Sequence, residues 1–431
     1  MAPLALSFPF EGIAQPWRSI LAIALVTIIW MFFWTFVLFA RGLRARRDSP
    51  AADRDLADSY TWVFMVPALN EEVTIADSVA RLLAVEVSNK QIVVIDDGSV
   101  DATPEILAGI TDPAVVALRR EKPEAQLGKA AALNWAFAQL EGRLAGSDPD
   151  RVIVVIVDAD GRLHADAPHW MAPLFEQDPT VGGVQSQVRI YNRKKLLAWF
   201  QDVEFGVYGS LFQAGRNAWG TAGMGGNGQF NRYSALLDIA DQAGPWRDKL
   251  TEDQDLGLRL IGAGWLGRQS LHATVDQQGL SRLRPLLRQR TRWSQGNLQA
   301  MSLIGTVARS PRPLVARFEC ILYILMPVWQ TIIGLAMLTA VYLLVAGEAA
   351  VYASHAWQQI LFFYLLGFGG VIMGCIAAGG ARGWRGYVTG FFIAQIYAFY
   401  TWTIWPVLLR STWRQLTDQR AWAKTDREPT A

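Results

Sequence analysis

From Ile20 to Ala40 the chain reads ILAIALVTIIWMFFWTFVLFA, with no charge, proline or glycine. At 1.5 Å per helical residue this run reaches roughly 31 Å, the thickness of a bilayer's hydrocarbon core. A secretory signal would be shorter and end in a small-residue cleavage site. Here Arg41, Arg44, Arg46 and Arg47 follow instead, so the run reads as a retained anchor. They outweigh the lone Arg18 ahead of it, which puts the N-terminus outside and the next segment in the cytoplasm.

No comparable stretch recurs until Cys320. Residues 320–347, 357–380 and 387–409 are uncharged, and Pro327 predicts a kink in the first. The loop near Glu348 and His355 lacks Lys and Arg and is expected outside, with Arg382 and Arg385 inside. Three plain spans would leave Arg410, Arg414, Arg420, Lys424 and Arg427 outside, against the same rule. One segment is therefore expected to be re-entrant or interfacial, and the tail to be inside. Aromatic residues crowd these stretches as membrane-interface belts do. The expected organisation is an anchor over 1–41, a cytoplasmic domain over 42–312 with interfacial helices near 283–312, a membrane region over 313–410 and a tail over 411–431. The protein is thus expected to be a multi-pass protein of the cell membrane.

Only 18% of residues are charged, against about 25% in an average soluble domain, and the net charge is +2. That balance argues against nucleic acid as partner. With 52% hydrophobic residues the chain is not disordered. Its two cysteines, Cys320 and Cys375, lie in apolar stretches, and its four histidines are scattered. Acid–base chemistry therefore falls to carboxylates. The membrane stretches themselves show no buried charge of the kind that marks a transport path.

Between the anchors, short β-branched runs alternate with helical stretches: residues 61–66, 91–95 and 152–157. Unbroken apolar strands of this kind are buried on both faces, which predicts a parallel α/β sheet. In such sheets the ligand sits beyond the carboxyl ends of the strands. Those ends carry Pro67-Ala68-Leu69-Asn70-Glu71-Glu72, Asp96-Asp97-Gly98-Ser99 and Asp158-Ala159-Asp160. One acidic strand end serves equally well as a helix cap or turn. Three in one sheet are harder to explain by capping alone. Asp158 and Asp160, on one side of an extended chain, suit a hard divalent cation bridging to a substrate diphosphate. There is no P-loop or dinucleotide fingerprint.

Further along, Thr251 and Gln254 have the spacing of a capping box, with Thr251 as N-cap. Asp253 then falls in the first helical turn, where the helix dipole favours the carboxylate form of a general base. Gly225–Arg232 is glycine-rich and predicts a loop. Arg288–Gly296 reads either as a cationic helix on anionic lipid or as a diphosphate and sugar site, with Arg292 on phosphate and Trp293 as a flat platform.

In order, Pro67–Glu72, Asp96–Ser99, Gly128-Lys129 with Ala132-Leu133-Asn134, Asp158-Ala159-Asp160, Thr251-Glu252-Asp253 and Gln289-x-x-Arg292-Trp293 resemble the membrane-integrated family 2 glycosyltransferases, the group of the cellulose, hyaluronan and chitin synthases. The resemblance covers about residues 60–300. It implies a GT-A fold of Rossmann-like α/β type, a nucleotide-diphosphate sugar donor, a UDP-sugar first, and inversion at the anomeric carbon. It implies a nucleotide-sugar site of Pro67, Glu71, Asp96, Asp97, Lys129, Asp158, Gln289 and Arg292. Asp253 would be the base, Trp293 and Glu252 would meet the acceptor, and Asp160 with Asp158 would hold Mg²⁺ or Mn²⁺. The expected activity is extension of a β-linked polysaccharide at the membrane, with export. The alternative is a single transfer to a lipid acceptor, and a nucleotide-binding scaffold without chemistry ranks third. The small number of membrane helices leaves room for an oligomer or accessory subunit.

Overall fold

The computed structural model describes residues 13–346 and 356–419. The loop near Glu348 and His355, and Arg420, Lys424 and Arg427 of the tail, lie outside the described residues.

One eight-stranded sheet organises the middle of the chain. Its strands are β1 (Thr61–Ala68), β2 (Lys90–Asp96), β3 (Val115–Arg119), β4 (Val152–Ile156), β5 (Arg162–Leu163), β6 (Val181–Ile190), β7 (Gln229–Arg232) and β8 (Leu266–Gln277). The order is β3-β2-β1-β4-β7-β6-β8-β5. The half formed by β3, β2, β1 and β4 is parallel, as the apolar runs predict. Trp62, Phe64 and Val66 pack into one core with Ile75, Val79 and Leu82. Val63 and Met65 pack into the other with Leu133, Phe137 and Leu140. Alternation thus buries both faces of β1, because successive side chains of a strand point to opposite sides.

The other half adds antiparallel strands to the parallel sheet that the apolar runs predict. β7 lies antiparallel between β4 and β6, and β5 is antiparallel to β8. The expected loop over Gly225–Arg232 is therefore a loop only as far as Gly228. Gln229–Arg232 is a fully buried strand. Its polar side chains hide it from an apolar-run reading, and hydrogen bonds make the burial tolerable. Arg232 donates to the carbonyls of Val181 (3.0 Å), Asp150 (2.6 Å) and Phe175 (2.9 Å).

Among the described residues, three helical stretches are long and apolar enough to cross a membrane: Trp17–Arg47, Met326–Leu343 and Tyr364–Leu416. The first is a single helix running through the basic residues, so the boundary drawn after residue 41 falls inside it. Leu325 separates the helices Leu314–Ile324 and Met326–Val345. Pro327 sits in the first turn of the second, where a missing N–H costs little, so the expected kink is a full break. The third stretch folds as Ala356–Gly379, Gly383–Thr401 and Ile404–Leu416. Ile404–Leu416 packs on Leu283–Ala300, with Ser294 and Ser411 hydroxyls 2.8 Å apart. Gln295 accepts from Arg414 Nε at 2.9 Å and donates to the Gln419 carbonyl at 2.8 Å. The start of the tail therefore lies against the helix that carries Gln289, Arg292 and Trp293.

Candidate active site

The strand ends, the start of the helix Glu252–Ala263 and the helix Leu283–Ala300 surround one cavity of about 780 Å³. Pro67, Glu71, Asp97, Lys129, Asp158, Glu252, Asp253, Gln289, Arg292 and Trp293 all line it.

Lys129 is the hub. Gly128, at φ +106°, turns the chain into the helix Lys129–Arg143. The ammonium then donates to Asp158 Oδ1 at 2.6 Å and to the Gly226 carbonyl at 3.1 Å, with Glu252 Oε1 at 3.7 Å. A Cβ on Gly226 would meet Lys129 Nζ at 3.2 Å and Asp253 Oδ2 at 3.3 Å, so a bare backbone fits between base and cation. Burial lowers the basicity of Lys129, but the carboxylates of Asp158, Glu252 and Asp253 outweigh it and the net shift is upward.

Asp253 sits in the first helical turn as predicted, and its Oδ1 accepts from the Gln254 N–H at 2.8 Å. Two expectations need correction. Thr251 is the N-cap residue but does not cap through its side chain; its hydroxyl donates to Gln254 Oε1 at 3.3 Å. The helix dipole does not hold Asp253 at an ordinary carboxylate pKa. Burial first and the neighbouring Glu252 charge second push it up to about 7, against the pull of Lys129, the Gln254 N–H and Arg292.

Asp97 pairs with Arg120 at 2.6 Å, and burial raises its pKa. Asp96 and Asp160 are buried and stand outside the cavity lining. Asp96 holds the β2 turn, meeting Arg119 at 2.5 Å and the Ser99 N–H at 2.8 Å. Asp160 accepts from the Gln278 N–H at 3.2 Å. Arg292 donates to the Leu250 carbonyl at 3.3 Å. Trp293 is not an open platform on both sides: the Arg290 guanidinium lies 4.0 Å from its ring centre. Arg290 also pairs with Glu204 at 2.7 Å and donates to Gln289 Oε1 at 2.8 Å. Glu204 accepts in turn from the Tyr400 hydroxyl at 2.8 Å.

Sequence reasoning missed Glu204, and it gave Arg290 and Asn227 no role of their own. Asn227 Oδ1 receives the Asp158 N–H at 3.1 Å and so orients that strand end. Glu204 carried one usable signal, an acid within the apolar helix Leu196–Val207. A buried acid stands just ahead of the uncharged stretch that begins at Cys320. Glu319, one residue ahead of Cys320, is 1% exposed and pairs with Arg216 at 2.6 Å.

The donor set suits a hard divalent ion. It offers oxygen atoms only, and the carboxylates around Lys129 carry more negative charge than one ammonium offsets. Among the described residues no three His, Cys, Asp or Glu side chains form a metal cage. Substrate oxygens and water would therefore complete the coordination.

Close approach of Asp253 to the helix Leu283–Ala300 depends on Gly296. A Cβ there would collide with the Thr251 side chain, 2.8 Å from its Cβ. Gly296→Ala is expected to cost at least about tenfold in kcat/KM, since small misplacements near the chemistry are expensive. Steady-state kinetics on the folded variant checks this; an unaltered kcat/KM would show that the two helix segments separate harmlessly.

Together the half-parallel sheet, its acidic strand ends and a carboxylate at a helix start belong to the GT-A fold. The family described as "Glycosyltransferase like family 2" matches residues 61–296, and the chain belongs to that family. A beta-monoglucosyldiacylglycerol synthase from Nostoc sp. is 30% identical over 66% of this chain and 57% of its own length, so the match spans little more than half of that relative. A poly-beta-1,6-N-acetyl-D-glucosamine synthase from Staphylococcus aureus is 28% identical over 70% of each chain. The fold is similar to that of a mannosyltransferase from Pyrobaculum calidifontis, solved with GDP-Man and Mn²⁺. The TM-score is 0.56 at 18% identity, over 93% of this chain and 100% of that one.

Proposed function

We propose that this glycosyltransferase moves a sugar, with inversion, from a nucleotide-diphosphate donor to the hydroxyl of a lipid held in the membrane. The observation that carries the reading is the cavity itself, which runs without interruption from Asp253 and Lys129 to Met326, Val371, Ile404 and Val407 of the membrane helices. These apolar members suit acyl chains, although Gln330, Thr401 and Thr403 line the cavity beside them. The sequence alone ranks a growing polysaccharide first. That second reading keeps support from the aromatic lining, Trp293, Tyr323, Tyr397 and Tyr400, and from the polysaccharide-synthase relative.

Pro67, Glu71 and Asp97 hold the nucleoside, with Asp96 fixing the turn behind Asp97. Lys129, Gln289 and Arg292 meet the diphosphate. Asp158 on the cavity wall, with the buried Asp160 behind it, would hold a divalent cation, which would supply charge neutralisation on the leaving diphosphate. Glu252 and Trp293 face the acceptor. Asp253 takes the acceptor's hydroxyl proton, the acceptor oxygen bonds to the anomeric carbon, and the bond to the diphosphate oxygen breaks with the electron pair leaving on phosphate. The domain carrying these groups is assigned to the cytoplasm, where nucleotide sugars are made, with the membrane helices crossing more than once.

The test offers UDP- and GDP-sugars to purified protein in nanodiscs with Mg²⁺ or Mn²⁺ and follows nucleotide-diphosphate release and product size. A UDP-sugar is expected to yield one sugar on a lipid, and EDTA to stop release. A long glycosidase-sensitive product would establish the polymer reading instead. Full turnover in EDTA would remove the metal role of Asp158 and Asp160.

A further inference from the structure

Past the catalytic carboxylates the cavity wall contains a guanidinium that no step above uses. Arg216 lines the cavity yet is 1% exposed. Its Nε is spent on Glu319 Oε1 at 2.6 Å, and Glu319 is held on its other oxygen by the Thr221 hydroxyl. One face of the guanidinium lies 3.7 Å from the Tyr323 ring centre. Nη1 and Nη2 have no hydrogen-bond partner among the described residues. Donors buried without partners are costly, so such a pair calls for an oxygen ligand. A neighbouring void of about 10 Å³ also borders Arg216, but it is at the lower limit for a single water and cannot serve the whole fork.

Tyr208 connects this group to the chemistry. Its hydroxyl is 2.7 Å from that of Tyr323. Tyr208 and Tyr323 both line the cavity that holds Asp253. Arg216 thus lines the same cavity as Tyr208 and Asp253.

We infer that Arg216 is the docking point for the carbonyl oxygens of a neutral lipid acceptor, one carrying a free hydroxyl and esters at its backbone. This rests on the lipid reading of the same cavity. Charge selects the ligand class. Arg216 is already neutralised by Glu319, so a phosphate would leave an uncompensated negative charge against a buried wall. Carbonyl oxygens accept from Nη1 and Nη2 without adding charge. The apolar side chains beyond, among them Met326, Pro327 and Val371, then receive the acyl chains.

The test uses the full-length protein in nanodiscs with the donor found above. Wild-type protein is given a 1,2-diacylglycerol, the matching 1,2-dialkyl ether that lacks the carbonyls, and phosphatidic acid. Arg216→Lys, and the charge-balanced pair Arg216→Gln with Glu319→Gln, are given the same lipids. The diester is expected to show a KM about tenfold or more below the diether. Both variants are expected to lose that preference while the donor KM moves less than about twofold. Equal use of diester and diether by wild-type protein overturns the proposal, and this arm needs no variant to fold. Variants that keep the preference overturn it as well, and so does better use of phosphatidic acid than of diacylglycerol. Polymer synthesis with no lipid product would instead overturn the lipid reading on which the proposal rests, a result visible before any variant is made.

Discussion

Replacing Asp253 by Asn should lower kcat by about 10³-fold and leave the donor's dissociation constant within about twofold, the pattern of a lost general base. The Asp253 carboxyl is pushed up to about 7 by burial and by Glu252. Below that pH it is protonated and cannot accept the acceptor's proton. Wild-type kcat/KM should therefore rise with pH through an acidic limb near 7, far above an ordinary Asp value of about 4. Stability should move the other way. A carboxyl whose folded pKa exceeds its unfolded value binds the extra proton in the native state, so stability falls as pH rises from about 4 to 7. Asp253→Asn removes that loss, and its melting temperature should exceed the wild type's at pH 8 and match it near pH 4. Titration calorimetry with the donor, a pH–rate profile and thermal melts check the three parts. Donor binding that disappears with turnover would make Asp253 a donor ligand and not a base.

The second large effect concerns Lys129→Met. This change leaves Asp158, Glu252 and Asp253 facing one another without the ammonium that now touches Asp158 at 2.6 Å. The expected fall in kcat/KM is about 10²- to 10³-fold, the range for losing one preorganised charge at a developing anion. The sign of a second change is more diagnostic. Lys129 is one of the groups that hold Asp253 down. Without it the acidic limb of the residual activity should move to higher pH. A limb that stays in place would separate Lys129 electrostatically from the base and leave it only a structural tie to Asp158.

Much of this arrangement is legible in the residues because it is local. The β1, β2 and β4 runs are apolar for several residues, and the acids follow within three positions, so the strands and the cavity floor can be read together. What stays hidden is held by contacts distant along the chain. Arg290 meets Glu204 across 86 positions, Tyr400 meets Glu204 across 196, and Arg216 meets Glu319 across 103. No periodicity links such partners. β7 is hidden for a different reason. Its burial is sustained by hydrogen bonds of Arg232, and a polar strand carries none of the signal that reveals β1. The pKa of Asp253 is a third kind of miss. A helix start favours the ionised acid, but the dipole's effect is at most about 2 kcal/mol and usually less. Desolvation among neighbouring carboxylates is larger, and it appears only once Glu252 and Lys129 are seen around the same space.

The packing of Ile404–Leu416 on the helix Leu283–Ala300 sets an order of events during synthesis. Gln295 is clasped by Arg414 and by the Gln419 carbonyl, partners 119 and 124 positions further along. A ribosome has therefore finished the whole sheet, and passed every long apolar helix, before the helix with Gln289, Arg292 and Trp293 can receive its last support. A nascent chain stalled before insertion would own its carboxylates but not a braced helix to work with them.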